Sequence, residues 1–104
     1  MKSRFKIIKV DVSNLAPPEP MTVILKQLAE LAHHECLLVK HRRQPFPLYE
    51  KLNEAGFSYH CVVHSQNKID LYIFHQSSQN LFNEKFNEQF DETLRNIDIT
   101  KGES

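Results

Sequence analysis

The chain has 104 residues, with 13 lysines and arginines against 13 aspartates and glutamates. That length supports one domain able to bury roughly 65% of the surface its unfolded form would expose. The balanced charge excludes a global field that would recruit DNA or an acidic membrane, so any electrostatic function must come from local asymmetry.

The amino-terminal stretch is interrupted by Lys2, Arg4, Lys6 and Lys9, unlike a secretory signal, and no apolar run approaches the ~20 residues that cross a bilayer. The chain is therefore expected in the cytoplasm, away from membranes, with Cys36 and Cys61 as thiols. Phe5 to Val12 is rich in β-branched residues and reads as a first strand, with Ile8, Val10 and Val12 on one face. Ser13-Asn14 offers turn chemistry. The proline-rich box Leu15-Ala16-Pro17-Pro18-Glu19-Pro20-Met21 follows, its prolines tolerable before or within a first helical turn. Met21, Ile24, Leu25, Leu28, Leu31 and Ala32 then recur at helical spacing, and His33-His34-Glu35 ends that helix.

A second strand is expected from Cys36 to about Arg42. Pro45 and Pro47 bar a continuous helix, but Pro47 suits the start of a new one from Leu48 to Ala55, capped by Gly56 in the left-handed region. Phe57 to His64 alternates as a third strand: Phe57, Tyr59, Cys61 and Val63 on one face, Ser58, His60, Val62 and His64 on the other. Ser65 to Lys68 reads as a hairpin turn into a fourth strand, Ile69 to His75. A two-residue loop would pair Cys61 with Tyr72 and a three-residue loop Cys61 with Ile73. His75 would lie across from Ser58 or Tyr59. In the tail, Phe82, Phe86, Phe90 and Leu94 form a stripe of period four on a helix capped by Ser78 or Asn80. The order is β-α-β-α-β-β-α, in which short β-α-β units favour right-handed parallel crossovers, with residues 1–76 as one domain and an amphipathic helix and tail over 77–104.

The box at the first helix resembles the Cys-Pro-x-Pro box of the TusA/SirA-like sulfur carriers, with Pro17 where they hold cysteine. A nearer resemblance is to the uncharacterised domain-of-unknown-function family numbered twenty-two forty-nine. The residues that carry it are Leu15 to Met21, Lys40-His41-Arg42-Arg43, Pro45-Phe46-Pro47-Leu48-Tyr49 and Glu54-Ala55-Gly56-Phe57. The resemblance, over about residues 6 to 75, implies an α/β (α+β) two-layer sandwich of TusA-like fold, with a four-stranded mixed sheet and two helices on one face, to which the carboxyl-terminal helix is an addition. In the carriers a helix amino terminus stabilises the thiolate; Pro17 has no thiol, so no persulfide forms there. Cys36 should begin its strand at the opposite end of the sheet and Cys61 should lie mid-strand on the helix-facing side, both as small core residues.

The parallel strands should all end on one side, where both helices start, gathering His41, Arg42, Arg43 and Lys68 near two helix amino termini that favour anions. Pro18, Glu19 and Pro20 would shape the helix entry, and His41, Arg42 and Arg43 would be the contact groups. Glu19 and Asp11 partly cancel the field. The sequence offers no metal spacing: His33 and His34, adjacent on a helix, would diverge by about 100°, and His60 and His64 would lie roughly 13 Å apart on a strand. His41, His64 and Asp11 are the one trio worth testing. No Gly-rich phosphate loop is present, and Ser13 and Ser58 lack a nucleophile's context. The expectation is a non-enzymatic binding or adaptor module without cofactor or metal, taking a protein partner or a small anion. Alternatives are a redox or sulfur-trafficking accessory acting through Cys61, and a weak RNA-binding module, for which the zero net charge argues poorly. The Phe stripe would cover the chain's own sheet or, through Phe82, Phe86 and Phe90, meet a second copy, or else enter a partner's groove. Burying three phenylalanines contributes on the order of 5–9 kcal/mol before ordering costs.

Overall fold

The computed structural model describes residues 5–86. Strand β1 (Lys6–Asp11) leads through the proline box into helix α1 (Glu19–Leu28) and then strand β2 (Glu35–His41). Helix α2 (Phe46–Glu54) connects to strand β3 (Phe57–Ser65), which pairs with strand β4 (Lys68–His75). A single 3₁₀ turn, Gln76–Ser78, precedes a further helix, α3, over residues 79–86. The sheet order is β1-β2-β4-β3, with β1 parallel to β2 and β4 antiparallel to both neighbours. The α+β class and the four-stranded mixed sheet are as the sequence implies. No helix among the described residues is long and apolar enough to cross a membrane.

Helices α1 and α2 cover one face. Ile24 and Leu28 of α1 and Leu48 and Leu52 of α2 are buried against Leu37, Val39, Ile69, Leu71 and Ile73 of the two central strands. Ile8, Val10 and Val12 join this layer from β1, and Phe57, Tyr59 and Cys61 join it from β3. The expected inward stripe of α1 is narrower than its pattern. The helix stops at Leu28, Leu31 reaches the core from the turn beyond it, and Leu25 is exposed. His33 and His34 consequently lie in a turn, not on a helix. Helix α2 ends as expected, with Gly56 at φ 88°, a conformation other residues adopt only with strain.

Neither expected hairpin register is observed. The loop has two residues and pairs Ser65 with Lys68, but a bulge between Val63 and Ser65 absorbs His64, so that Cys61 pairs with Leu71. The same shift places His75 opposite Phe57 instead of Ser58 or Tyr59. It also keeps Ile69 and Leu71 on the helix-covered face, where both are buried, and Val63 emerges into solvent at the bulge.

The second face of the sheet has two ends of different character. At the amino end of β2, Cys36, Phe74 and Phe5 are buried together with Phe82 from α3, and Ile7, Tyr72 and Phe86 pack around them. The Phe82 ring stacks on Phe74 at a centroid distance of 4.2 Å. Within the chain, then, α3 lays Phe82 on its own sheet; Phe90 and Leu94 lie outside the described residues. Toward the other end sits Asp70, a carboxylate on a central strand with 11% of its side chain exposed. His64 Nε2 lies 2.9 Å from Asp70 Oδ2, and Lys40 donates to the same oxygen at 3.1 Å. The other oxygen, Oδ1, is also 3.1 Å from the ammonium but has no aligned donor, so its contact is an ion pair and not a hydrogen bond. Burial pushes Asp70 up, yet the bonds from His64 and Lys40 outweigh it and hold the carboxyl below its ordinary range.

Two expectations concern this second face. Phe82→Ala should cost about 3–5 kcal/mol in chemical denaturation, the range for a phenylalanine removed from a core, with an unchanged mass by light scattering. A mass that halves on substitution would instead place Phe82 between copies. Asp70→Asn should lower stability by about 1–3 kcal/mol at neutral pH through loss of charge-assisted bonds. Because the folded carboxyl is the more acidic, the contribution is complete above its ordinary value and fades as pH falls through the lowered one. The stability gap between wild type and variant, measured by denaturation, should therefore close in acid.

Candidate functional site

Every strand of the parallel set ends at one rim of the sheet, so the loops that follow β1 and β2 are neighbours there. The loop after β1 is the proline box. The Pro17–Pro18 peptide is cis, Pro18 occupies the cap position of α1, and Pro20 is buried within its first turn. The loop after β2 carries Arg42 and Arg43, both exposed, and reaches α2 through Pro45 and Pro47. Between the two loops lies a cleft of about 350 Å³ whose walls include Pro17, Pro18, Pro20, Met21, His41, Arg42 and Arg43. The expected proximity of Pro17 and the basic cluster is thus observed. Five of the six residues singled out from the sequence line this cleft. Glu19 is the exception: it opens α1, is exposed, and is not part of the wall.

A second, more polar cleft of about 470 Å³ lies on the strand side of the same rim. Asp11, Ser13, Asn14, Lys40, Asn67 and Lys68 line it, and it shares His41 and Arg42 with the first. Lys68 therefore joins the rim from the hairpin, as its position implied. Lys40 is held from below by Asp70. Asp11 accepts the amide of Ser13 at 2.9 Å and its hydroxyl at 2.6 Å. Those two bonds, hydroxyl first, lower its pKa.

The helix amino termini contribute less to anion binding than their position suggests. In α1 the Glu19 amide is bonded to Ala16 O at 2.9 Å, and Pro20 has no N–H. In α2 the Phe46 amide is bonded to Gln44 O, the Leu48 amide to Pro45 O, and Pro47 has none. The prolines that start both helices take away the donors an anion would use. Charge at the rim is accordingly a property of side chains. The ion pairs found among the described residues both end on Asp70, so Arg42, Arg43 and Lys68 have no carboxylate among those residues.

His41 is bound inward. Its Nδ1 accepts the Arg42 amide at 2.8 Å and lies 3.4 Å from that of Arg43. This fixes the neutral ring with its proton on Nε2. Burial first, then the charges of Arg43 and Arg42, hold His41 below its ordinary value of 6.5. The trio of His41, His64 and Asp11 does not assemble, because His64 turns to Asp70 and Asp11 to Ser13. No three His, Cys, Asp or Glu side chains among the described residues are grouped to hold an ion. Nor do Ser13, His41 and Asp11 form a nucleophilic relay, since the Ser13 hydroxyl is donated to Asp11 and His41 Nδ1 faces backbone amides.

Both cysteines are placed as expected. Cys36 is buried at the far pole from the rim, and desolvation pushes its thiol up to about 12. Cys61 is half-buried against the helix layer. Burial raises it, and a hydrogen bond with Tyr49 only partly opposes that, so the thiol stays protonated at neutral pH. Sequence reasoning missed Phe46, which is 65% exposed at the start of α2 with its ring edge against Tyr49. A large apolar residue wedged between two prolines, outside any helical stripe, was the available signal.

The inward bond of His41 has a pH consequence. A proton on Nδ1 breaks the acceptance of the two amides, and the folded ring resists that proton more than the unfolded one. The loop's anchoring is therefore complete above 6.5 and is lost as pH falls through the lowered folded value. In an NMR titration the Arg42 and Arg43 amides should shift together with the His41 ring, with a midpoint below 6.5. A midpoint above that value, or amides that do not follow the ring, would contradict the assignment.

No curated protein and no solved structure matches the chain. A family model does, that of the uncharacterized conserved protein DUF2249, over residues 9–75. That span runs from within β1 to the last residue of β4 and takes in the proline box, both covering helices and the basic loop. On this match, the chain belongs to the DUF2249 family.

Proposed function

We propose that the chain is a non-enzymatic binding module whose rim cleft takes up a small organic anion, the apolar part between the prolines and the charge against Arg42 and Arg43. The observation that carries this reading is a cleft of ligand size, walled by Leu15, Pro17, Pro20, Met21 and Pro45, with two guanidinium groups at its edge that meet no carboxylate among the described residues. Apolar walls supply contact area, and arginine forks supply orientation. We also read the fold as a relative of the TusA/SirA-like carriers, acting in the cytoplasm. Support for it comes from the β-α-β-α-β-β order and the proline box at the first helix. On that reading Pro17 turns the position of a reactive thiol into part of a binding wall, and the module holds its ligand without chemistry.

A second reading, an acidic protein segment as the partner, is favoured by Phe46, because exposed aromatic and arginine side chains together are the usual anchors of protein interfaces. Titration by NMR with hexanoate, hexanol and hexylamine tests the first. Hexanoate should shift cleft amides at lower concentration than either neutral or cationic analogue, and Arg42→Gln with Arg43→Gln should weaken it about tenfold, the loss of roughly 1.4 kcal/mol. Equal responses to hexanoate and hexylamine would refute it. A short peptide alternating glutamate and leucine that outcompetes hexanoate and depends on Phe46 would select the second reading.

A further inference from the structure

The two clefts share a wall. His41 and Arg42 line both, so a molecule seated among the prolines lies beside the polar cleft, with those two side chains between. The chemistry on the far side differs from that on the near side. Asn14 and Asn67 bring two carboxamides, Ser13 a hydroxyl already donated to Asp11, and Arg42 and Lys68 bring charge. Lys40, on the same wall, is neutralised by Asp70, and the one lining carboxylate, Asp11, is turned onto Ser13. What remains is a concavity with two cations that form no ion pair among the described residues, a third in Arg43 at its neighbour's edge, two neutral carboxamides, and the Asp11 carboxylate, whose charge the Ser13 bonds leave in place.

From this juxtaposition we infer that the clefts form one bipartite site for a phosphate monoester carried on an apolar body. The body lies between Pro17, Pro20 and Met21, and the phosphate lies beyond Arg42 against Lys68. This rests on the anion-binding reading above and narrows it. A carboxylate has one charge and two oxygens and is satisfied at the arginine edge. A phosphate monoester carries about −1.5 to −2 charge and three strong acceptor oxygens, and it matches cations approaching from two loops with neutral donors between them. Arg42 bridges the two parts, and Lys68 belongs to the phosphate part alone.

The probes are hexyl phosphate, hexanoate and inorganic phosphate, titrated into the full chain at fixed ionic strength. Hexyl phosphate should bind at least tenfold more tightly than either of the others. Lys68→Gln, at the exposed first residue of β4, where the exchange leaves the core untouched, should weaken hexyl phosphate about fivefold and leave hexanoate within twofold. Met21→Gln should weaken hexyl phosphate and hexanoate alike while inorganic phosphate is unchanged. Hexyl phosphate no tighter than hexanoate, or a Lys68→Gln effect that is equal on both or absent, overturns the bipartite site while the anion reading stands. No binding by any of the three overturns both. Sedimentation with vesicles containing phosphatidic acid, lost in Lys68→Gln, assigns the ester to a lipid source. Binding of hexyl phosphate without sedimentation assigns it to a free one, and each of these supports the site.

Discussion

Strand direction is the constraint from which the rest of this structure follows. β1, β2 and β3 run the same way, and only β4, inserted between β2 and β3, returns. Each helix that leaves β1 or β2 must cross the sheet and come back to its far end before the next strand begins. Both helices therefore start at the carboxyl rim, and both connecting loops are confined to it. The proline box and the basic loop are neighbours because no other arrangement lets α1 and α2 bury Ile24, Leu28, Leu48 and Leu52 on one sheet face. The core and the cleft are consequences of one topology, so disruption of the helix layer would dissolve the rim with it.

Proline at both helix starts then decides what kind of rim this is. A helix amino terminus with free amides is a site for anions; here, turn bonds and imino nitrogens leave few such amides. The box presents apolar surface and offers few donors. On the proposed reading, binding at the rim comes from guanidinium and ammonium groups on flexible stems. Such groups screen with salt and adapt to ligand shape, in contrast to a rigid amide cradle. His41 supplies the rigidity instead, by holding the Arg42 and Arg43 backbone from within.

Much of this was legible in residue order. The β-branched run of β1, the Pro47 start and Gly56 stop of α2, and the helix-facing set Phe57, Tyr59 and Cys61 follow from period and caps alone. What was not legible depended on contacts between distant residues. The hairpin register turned on one bulged residue, His64, whose displacement is coupled to a carboxylate six positions later. Alternation cannot reveal that, because a bulge leaves the pattern on either side intact and changes only which partner it meets. Leu25 fits the helical stripe of α1 but lies about 100° round the helix from Ile24, at the edge of the arc that Pro20, Ile24 and Leu28 bury, and is exposed. For the site, the composition of each loop was readable, whereas the division into an apolar and a polar cleft was not, since it depends on His41 turning inward.

Asp70 has a clearer signal in the sequence and a less obvious reason to exist. A lone carboxylate within Ile69-Asp70-Leu71-Tyr72-Ile73-Phe74 contradicts an otherwise apolar central strand. Replacing it with a hydrophobic residue would pack the second face more simply, as buried ion pairs are often no better than their apolar isosteres. What the carboxylate does is divide that face. It orients Lys40 toward the rim, engages the bulged His64, and ends the aromatic surface on which Phe82 stacks. A continuous apolar face would let α3 slide along the sheet, with Phe82 as satisfied beside Leu38 as beside Phe74. The ion pair makes one end of the face costly to cover and so selects the other. Besides the stability its charge-assisted bonds supply, the polar cluster would on this argument select the register of α3, from beside the cleft that Lys40 lines.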